Sequence, residues 1–247
     1  MKPLIVGNWK MHGSKLKNKD LLEGVKNYCN TEQSEFVVCA PYPYLYQCED
    51  MLAGSNVAWG AQTVSPFEQG AFTGQVDISM LQDFSCSYAI VGHSERRHGL
   101  GETSAWVADS AAKVIDQGMS AIVCVGETLV QKEAGDLESV LQDQLNPVFA
   151  KIAAENAEKL IIAYEPVWAI GTGKAASEED VAAAHNLIKN LLKEKDAKFF
   201  NSVRILYGGS VKPNNAQTLL AIDHVDGLLI GGASLDPKSF SEIGQWK

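Results

Sequence analysis

The sequence lacks long hydrophobic runs. None of its apolar stretches approaches the roughly 18 residues that a membrane-spanning helix needs, which excludes a transmembrane protein. The first residues also lack the apolar core and cleavage site of a signal peptide, so we expect a soluble cytoplasmic protein. With 46% hydrophobic and 21% charged residues among 247, the composition excludes disordered, collagen-like and coiled-coil architectures.

An excess of basic residues is missing as well. The 21 lysines and arginines face 30 aspartates and glutamates, which leaves a formal net charge of −9. Nucleic-acid-binding proteins normally have the opposite balance, so we expect no nucleic-acid partner. The dense basic cluster Arg96-Arg97-His98 is a single short patch. An anionic substrate would therefore have to be held by a local positive site.

Cysteine and histidine patterns that bind metals are also absent from the sequence. The five cysteines are odd in number and never arranged as C-x-x-C, which excludes a disulfide framework and a zinc ribbon. Cys39 and Cys124 lie inside apolar runs and are predicted to be buried thiols. No metal-ligand spacing occurs among the histidines, so no metal is expected. Four of them are interpreted as structural: His12, His98, His185 and His224.

The chain does contain a repeated alternation of short apolar runs and helix-forming segments. Most runs are apolar throughout, which is typical of parallel strands covered on both faces. The eight candidate strands are Leu4–Gly7, Phe36–Ala40, Val57–Ala61, Tyr88–Gly92, Ala121–Val125, Leu160–Tyr164, Val203–Tyr207 and Gly227–Ile230. Predicted helices include Thr103–Gln117, Leu137–Ala154 and Glu178–Lys195, with Ser177 as an N-cap and Gly118 as a helix stop.

Eight strand–helix units predict an α/β fold, a single closed parallel (β/α)8 barrel that occupies residues 1–247 as one domain. A doubly wound open sheet is the alternative. Its dinucleotide-binding form would place G-x-G-x-x-G after the first strand, where the sequence has Asn8-Trp9-Lys10 instead.

Ionisable residues follow three of the candidate strands. In a (β/α)8 barrel the active site lies at the carboxyl ends of the strands, and Lys10, His93 and Glu165 follow the first, fourth and sixth. An ammonium, an imidazole and a carboxylate at converging strand ends predict proton-transfer chemistry. Glycine-rich turns follow the last three strands, and their bare backbone N–H groups favour phosphate binding. These turns are Gly171-Thr172-Gly173, Gly208-Gly209-Ser210 and Gly231-Gly232.

Five segments around these residues resemble the triosephosphate isomerase family, in the family's order and spacing from residue 4 to about residue 235. The twelve-residue segment that contains Glu165 is nearly diagnostic by itself. The segments are Gly7-Asn8-Trp9-Lys10-Met11, Gly92-His93-Ser94-Glu95-Arg96-Arg97, Ala163-Tyr164-Glu165-Pro166-Val167-Trp168-Ala169-Ile170-Gly171-Thr172-Gly173-Lys174, Tyr207-Gly208-Gly209-Ser210 and Gly231-Gly232-Ala233-Ser234-Leu235.

The resemblance implies an enzyme that interconverts dihydroxyacetone phosphate and D-glyceraldehyde 3-phosphate through an enediolate, without a cofactor or metal. By resemblance, Glu165 is the base that moves the carbon-bound proton, and His93 polarises the carbonyl as a neutral imidazole. Lys10 and Asn8 supply charge and a donor to the substrate oxygens, and Glu95 positions Lys10.

The resemblance also implies a phosphate site and a mobile lid. Gly171, Ser210, Gly231 and Gly232 would offer backbone N–H groups to the phosphate. Closure of the lid over the substrate would exclude water and protect the enediolate. The lid comprises Pro166, Val167, Trp168, Ala169, Ile170, Gly171, Thr172, Gly173 and Lys174.

A homodimer follows from the resemblance of residues 69–74 to the family's dimer loop, from which Thr73 would reach the neighbouring subunit near its active site. The sequence departs from the family pattern at Gln75, where an acidic residue that pairs with the equivalent of Arg96 is common, and at His12, where asparagine is common. An exposed ion pair is worth about 0–1 kcal/mol, so we expect a somewhat altered interface rather than a monomer.

Rival interpretations remain open at this point. A metal-dependent sugar-phosphate epimerase would need histidine and carboxylate ligands at adjacent strand ends, and a Schiff-base aldolase would need a buried lysine inside a late strand. A non-catalytic binding scaffold would show a damaged base or lid, whereas Glu165, His93 and Lys10 are intact.

Overall fold

The computed structural model describes residues 1–170 and 175–245. In these ranges eight parallel strands pair in sequence order, and the last pairs with the first to close a barrel. The predicted closed (β/α)8 barrel is confirmed, and the alternative of an open sheet is wrong. The strands are β1 (Leu4–Asn8), β2 (Glu35–Ala40), β3 (Val57–Ala61), β4 (Tyr88–Val91), β5 (Ser120–Val125), β6 (Leu160–Tyr164), β7 (Arg204–Tyr207) and β8 (Gly227–Ile230).

Alternate residues of each strand face opposite sides of the barrel wall. Leu4 and Val6 of β1 belong to a central cluster, whereas Ile5 between them belongs to the larger cluster that includes the helices. Burial on both faces explains why the strands are apolar throughout. Other strands complete the central cluster with Val37, Cys39, Ile90, Ile122, Cys124, Ile161, Ala163, Leu206 and Leu229.

Helices return the chain from the end of one strand to the start of the next. Short 3-10 turns cover Tyr42–Tyr44, Ala154–Lys159, Val167–Ala169 and Gly232–Leu235. In the described ranges the helices are α1 (Lys15–Tyr28), α2 (Leu45–Leu52), α3 (Ile78–Asp83), α4 (Ser94–Leu100), α5 (Ser104–Asp116), α6 (Leu129–Ala134), α7 (Leu137–Lys151), α8 (Glu178–Lys195), α9 (Ala197–Ser202), α10 (Pro213–Leu220) and α11 (Pro237–Ile243).

Local signals place the start of α8 and the end of α5 where the sequence predicts. The Ser177 hydroxyl accepts a hydrogen bond from the Asp180 N–H in a capping box that begins α8 at the predicted residue. Gly118, with φ of 86°, follows the C-cap of α5 and confirms the predicted stop. The prediction that α7 continues to Ala154 is wrong, because Ile152 is extended and the helix ends at Lys151.

Strand ends differ from the predictions by single residues. Asn8 continues β1 by pairing with Cys39 of β2 instead of lying beyond the strand. Gly92 does not belong to β4, because its φ of 67° departs from strand geometry. Val203 does not belong to β7, because its N–H caps α9 by donating to the Phe199 carbonyl.

The five cysteines are all buried and free, so the predictions for Cys39 and Cys124 are confirmed. Among the described residues, no group of three or more histidine, cysteine and acidic side chains is arranged to hold a metal ion. Across residues 1–170 and 175–245, every helix is either too short or too polar to span a membrane.

Candidate active site

The carboxyl ends of the strands surround a cavity of about 1000 Å³. Asn8, Lys10, His93 and Glu165 line it, together with the turns at residues 208–215 after β7 and 231–233 after β8. The ionisable residues that the sequence places on three separate strands therefore share one cavity.

Glu165 is held at both carboxylate oxygens. Its Oε1 lies 2.8 Å from His93 Nε2, and its Oε2 accepts a 2.9 Å hydrogen bond from the Ser94 N–H. Its own N–H donates to the Val125 carbonyl at 2.7 Å, which ties the end of β6 to β5. Because only 2% of the residue is exposed, these hydrogen bonds offset the cost of burying a charged group. The carboxylate is thus fixed against the imidazole.

His93 caps the N-terminus of α4. Its Nδ1 accepts a 3.2 Å hydrogen bond from the Glu95 N–H, which requires an unprotonated Nδ1. The ring proton of a neutral imidazole then lies on Nε2, the nitrogen that faces Glu165. The local backbone therefore selects both the tautomer and the direction in which His93 donates.

Lys10 adopts a left-handed backbone conformation, with φ of 52°. Such a conformation is strained for a residue with a side chain, and Asn8 Oδ1 supports it by accepting from the Lys10 N–H at 3.0 Å. The Lys10 ammonium lies 2.6 Å from Glu95 Oε1. Burial raises the pKa of Glu95, but the hydrogen bond from Lys10, together with neighbouring charges, outweighs burial, and the net pKa is lowered. Glu95 thus holds Lys10 at the rim of the cavity.

The predicted phosphate-binding residues Ser210, Gly231 and Gly232 line the same cavity. A Cβ atom on Gly231 would lie 3.4 Å from Lys10 Cε, so the lysine stem passes next to this turn. The fourth predicted residue, Gly171, lies outside the described residues, as do Thr172, Gly173 and Lys174 of the predicted lid.

The described part of the predicted lid is anchored by Trp168. Its indole Nε1 donates to Glu127 Oε1 at 2.6 Å, and the Tyr164 hydroxyl lies 3.1 Å from each oxygen of the same carboxylate. Lys132 Nζ lies 4.0 Å from the centroid of the Trp168 ring. Pro166 and Val167 lead into this anchor, and Ala169 and Ile170 line the cavity.

Sequence reasoning missed three residues next to the site: Ser94, Arg97 and Glu127. Glu127 follows β5 after Gly126, so the strand-end criterion that selected Glu165 would have selected Glu127 too. Burial raises its pKa, although the Trp168 and Tyr164 donors oppose that rise. No sequence signal marks Ser94, because its contribution is a backbone N–H.

The loop that contains the predicted dimer residue Thr73 does not line this cavity. Residues 69–75 are all exposed, including Gln75. Arg96, for which the sequence suggested the loss of an ion pair, is paired within its own chain, with its Nε 2.7 Å from Glu102 Oε1.

Comparison with known proteins decides the family. A family model described as triosephosphate isomerase matches residues 3–246. The chain belongs to the triosephosphate isomerase family. A triosephosphate isomerase of Ralstonia nicotianae is 52% identical over 98% of this chain and 97% of its own length. That of Cupriavidus pinatubonensis is 50% identical over 98% of both chains, and that of Coxiella burnetii is 45% identical over 99% and 96%.

Membership in the triosephosphate isomerase family removes the rival interpretations of the sequence. An epimerase, an aldolase and a non-catalytic scaffold are all disfavoured by a match that covers nearly the whole chain. The cavity at the strand ends is therefore the candidate active site of a triosephosphate isomerase.

Proposed function

We propose that the cavity at the strand ends performs the reaction of the family with Glu165 as the base. The protein is an aldose–ketose isomerase that reversibly interconverts dihydroxyacetone phosphate and D-glyceraldehyde 3-phosphate. The reaction removes a proton from the carbon next to a carbonyl and returns it to the neighbouring carbon. It therefore needs a placed base and donors for the oxygens of the enediolate.

The contact between Glu165 and His93 carries this proposal. A carboxylate and the donating Nε2–H of a neutral imidazole lie 2.8 Å apart in a buried cavity. Substrate that enters between them replaces this contact. The carboxylate then accepts the carbon-bound proton, and Nε2–H donates to the carbonyl oxygen. To do so, Glu165 must give up the Ser94 N–H. Loss of water around the carboxylate makes it a stronger base.

Lys10 and Asn8 stabilise the charge that develops on the substrate oxygens. The Lys10 ammonium remains anchored to Glu95 at 2.6 Å, so its position is set before substrate arrives. Ser210, Gly231 and Gly232, with Gly171, offer backbone N–H groups to the phosphate. Neutral amides and one ammonium thereby bind a dianion in a protein with a net charge of −9.

The substitution Glu165→Asp tests the role of the base. The shorter side chain moves the carboxylate about 1 Å from the reacting carbon, and a displacement of this size lowers kcat about 100-fold. The assay is the coupled spectrophotometric conversion of glyceraldehyde 3-phosphate, with EDTA present and absent, beside Glu165→Ala. We expect KM to change less than kcat, because the phosphate site is untouched. Near-normal turnover of Glu165→Asp would remove Glu165 from its role.

We also propose that the protein is a homodimer. An apolar groove of about 370 Å³ adjoins the site and is lined by Met11, Leu100 and Tyr42, as well as by His93 and Lys10. Met11 and Leu100 are 96% and 69% exposed, which is unfavourable for large apolar side chains in water.

The loop that contains Thr73 is the proposed occupant of this groove in a second copy. Phe72 in that loop stacks on Phe67 with the ring centroids 4.3 Å apart, which organises the exposed tip. Sedimentation of the wild type and of Thr73→Arg tests this. We expect a dimer that weakens in the variant, and a wild-type monomer at micromolar concentration would contradict the proposal.

We also propose a cytoplasmic location, the absence of a nucleic-acid partner and a single domain. Five buried, free cysteines suit the reducing cytoplasm. The net charge of −9 disfavours a nucleic-acid partner. A barrel whose strands run from residue 4 to residue 230 suits a single domain over residues 1–247.

A further inference from the structure

Arg97 connects two strands directly beneath the site. Its Nε donates to the Gly92 carbonyl at 2.9 Å, and its Nη2 donates to the Cys124 carbonyl at 3.2 Å. Its Nη1 lies 3.3 Å from the Ser104 hydroxyl. Gly92 follows β4 and Cys124 lies in β5, so one guanidinium spans the gap between the ends of two neighbouring strands.

Each carbonyl that Arg97 binds lies next to backbone that positions a reacting group. Gly92 immediately precedes His93, and Val125, next to Cys124, accepts the backbone hydrogen bond of Glu165. The approach is close, since a Cβ atom on Gly92 would lie 3.0 Å from Arg97 Nη2. Movement of the guanidinium would therefore move the backbone that places the imidazole and the carboxylate.

The charge of Arg97 has no carboxylate partner at ion-pair distance among the described residues. Glu102, which follows α4, is hydrogen-bonded to Arg96 instead. Burial lowers the pKa of Arg97, while Cys124, Glu165 and Glu102 oppose that effect. A guanidinium stays protonated in proteins, so the site has a fixed positive charge.

We propose that Arg97 is a positioning residue, which ties the ends of β4 and β5 beneath His93 and Glu165. The proposal rests on the proposed role of Glu165 as the base. It predicts that loss of the guanidinium lowers kcat through the geometry of the site while KM changes less.

The test compares kcat and KM of Arg97→Gln, Arg97→Lys and the wild type in the direction from dihydroxyacetone phosphate. In Arg97→Gln we expect kcat to fall about tenfold or more, because the shorter side chain cannot hold both carbonyls and the imidazole and the carboxylate lose their placement. KM should change less than kcat, because the turns that bind phosphate follow β7 and β8.

Arg97→Lys keeps the charge but lacks the planar guanidinium that reaches both carbonyls, so we expect a lower kcat with KM near that of the wild type. Arg204→Gln is the matched control, because Arg204 lies at the start of β7, the opposite end of the barrel, where it pairs with Glu35 at 3.0 Å. Its kcat and KM should equal those of the wild type.

An unchanged kcat in Arg97→Gln, or an equal fall of kcat in Arg204→Gln, would overturn the proposal. If Arg97→Gln does not fold, Arg97→Lys decides alone, since an unchanged kcat contradicts the proposal. Failure of the base assignment is distinguishable, because Glu165→Asp would then be active whatever the Arg97 variants do.

Discussion

Gly126 sits where two segments of backbone come closer than any side chain permits. It follows β5, and a Cβ atom added to it would lie 1.7 Å from the Glu165 carbonyl oxygen and 2.7 Å from the carbonyl carbon. Real Cβ contacts essentially never fall below 3.0 Å, so Gly126→Ala must push the two backbones apart by at least about 1.3 Å. The displaced backbone is that of Glu165 itself.

A displacement of about 1 Å between base and substrate lowers kcat about 100-fold, so that is the effect expected of Gly126→Ala in the coupled isomerase assay. KM should change only a few-fold, because the turns that bind phosphate follow β7 and β8. Overpacking of this kind costs about 1–3 kcal/mol, which for a chain of this size lowers Tm by roughly 2–12 °C.

Gly118→Ala is the matched control. Gly118 also has a positive φ, 86°, but a Cβ atom there would meet nothing within 4 Å. The left-handed conformation costs alanine about 1–2 kcal/mol, so Tm should fall by a few degrees while kcat stays unchanged. The reasoning is refuted if Gly126→Ala is folded at 25 °C and retains a kcat within about threefold of the wild type.

Two further predictions concern buried polar groups. His185 donates from Nδ1 to the His224 carbonyl at 2.8 Å, and its buried Nε2 has no hydrogen-bond partner among the described residues, so burial lowers its pKa to about 4. Because the unfolded state binds the proton more tightly, this contribution to stability is complete above about pH 6.5 and is lost towards pH 4, by about 2 kcal/mol at pH 5. Urea unfolding of His185→Gln should show a smaller loss between pH 7 and pH 5, and equal losses would contradict the assignment. Trp168→Phe leaves the Glu127 carboxylate without its 2.6 Å donor, so the free energy of unfolding at pH 7 should fall by about 1–3 kcal/mol. Tyr164→Phe, which removes the other donor, is the comparison, and a Trp168→Phe protein as stable as the wild type would show that the contact stabilises nothing.

Much of the barrel could be predicted because each strand and helix carries its own local signal. Uniformly apolar runs with glycine or polar residues at their ends determined eight strands to within a residue or two, and capping chemistry placed Ser177 and Gly118. The end of α7 was missed, since the apolar pattern continues past Lys151 although the backbone turns extended at Ile152.

In the candidate site, the positions of the reacting residues could be predicted, but their hydrogen-bond partners could not. Lys10, His93 and Glu165 follow strand ends, and this predicts that they meet. Closure of a parallel barrel brings every carboxyl end to one rim. The partners of these residues do not follow from the sequence. The Ser94 N–H on Glu165 depends on the turn that begins α4, and the bond from Trp168 to Glu127 joins segments 41 residues apart.

The sequence by itself determined which chemical groups stand at the ends of the strands and which residues are apolar enough to form the wall. The tertiary structure alone decided which nitrogen of His93 donates, where the unmatched charge of Arg97 lies and how close Gly126 comes to Glu165. The reason is physical. Burial and helix capping act over a few neighbouring residues, whereas hydrogen-bond direction and electrostatic balance depend on distances that exist only once the barrel has closed.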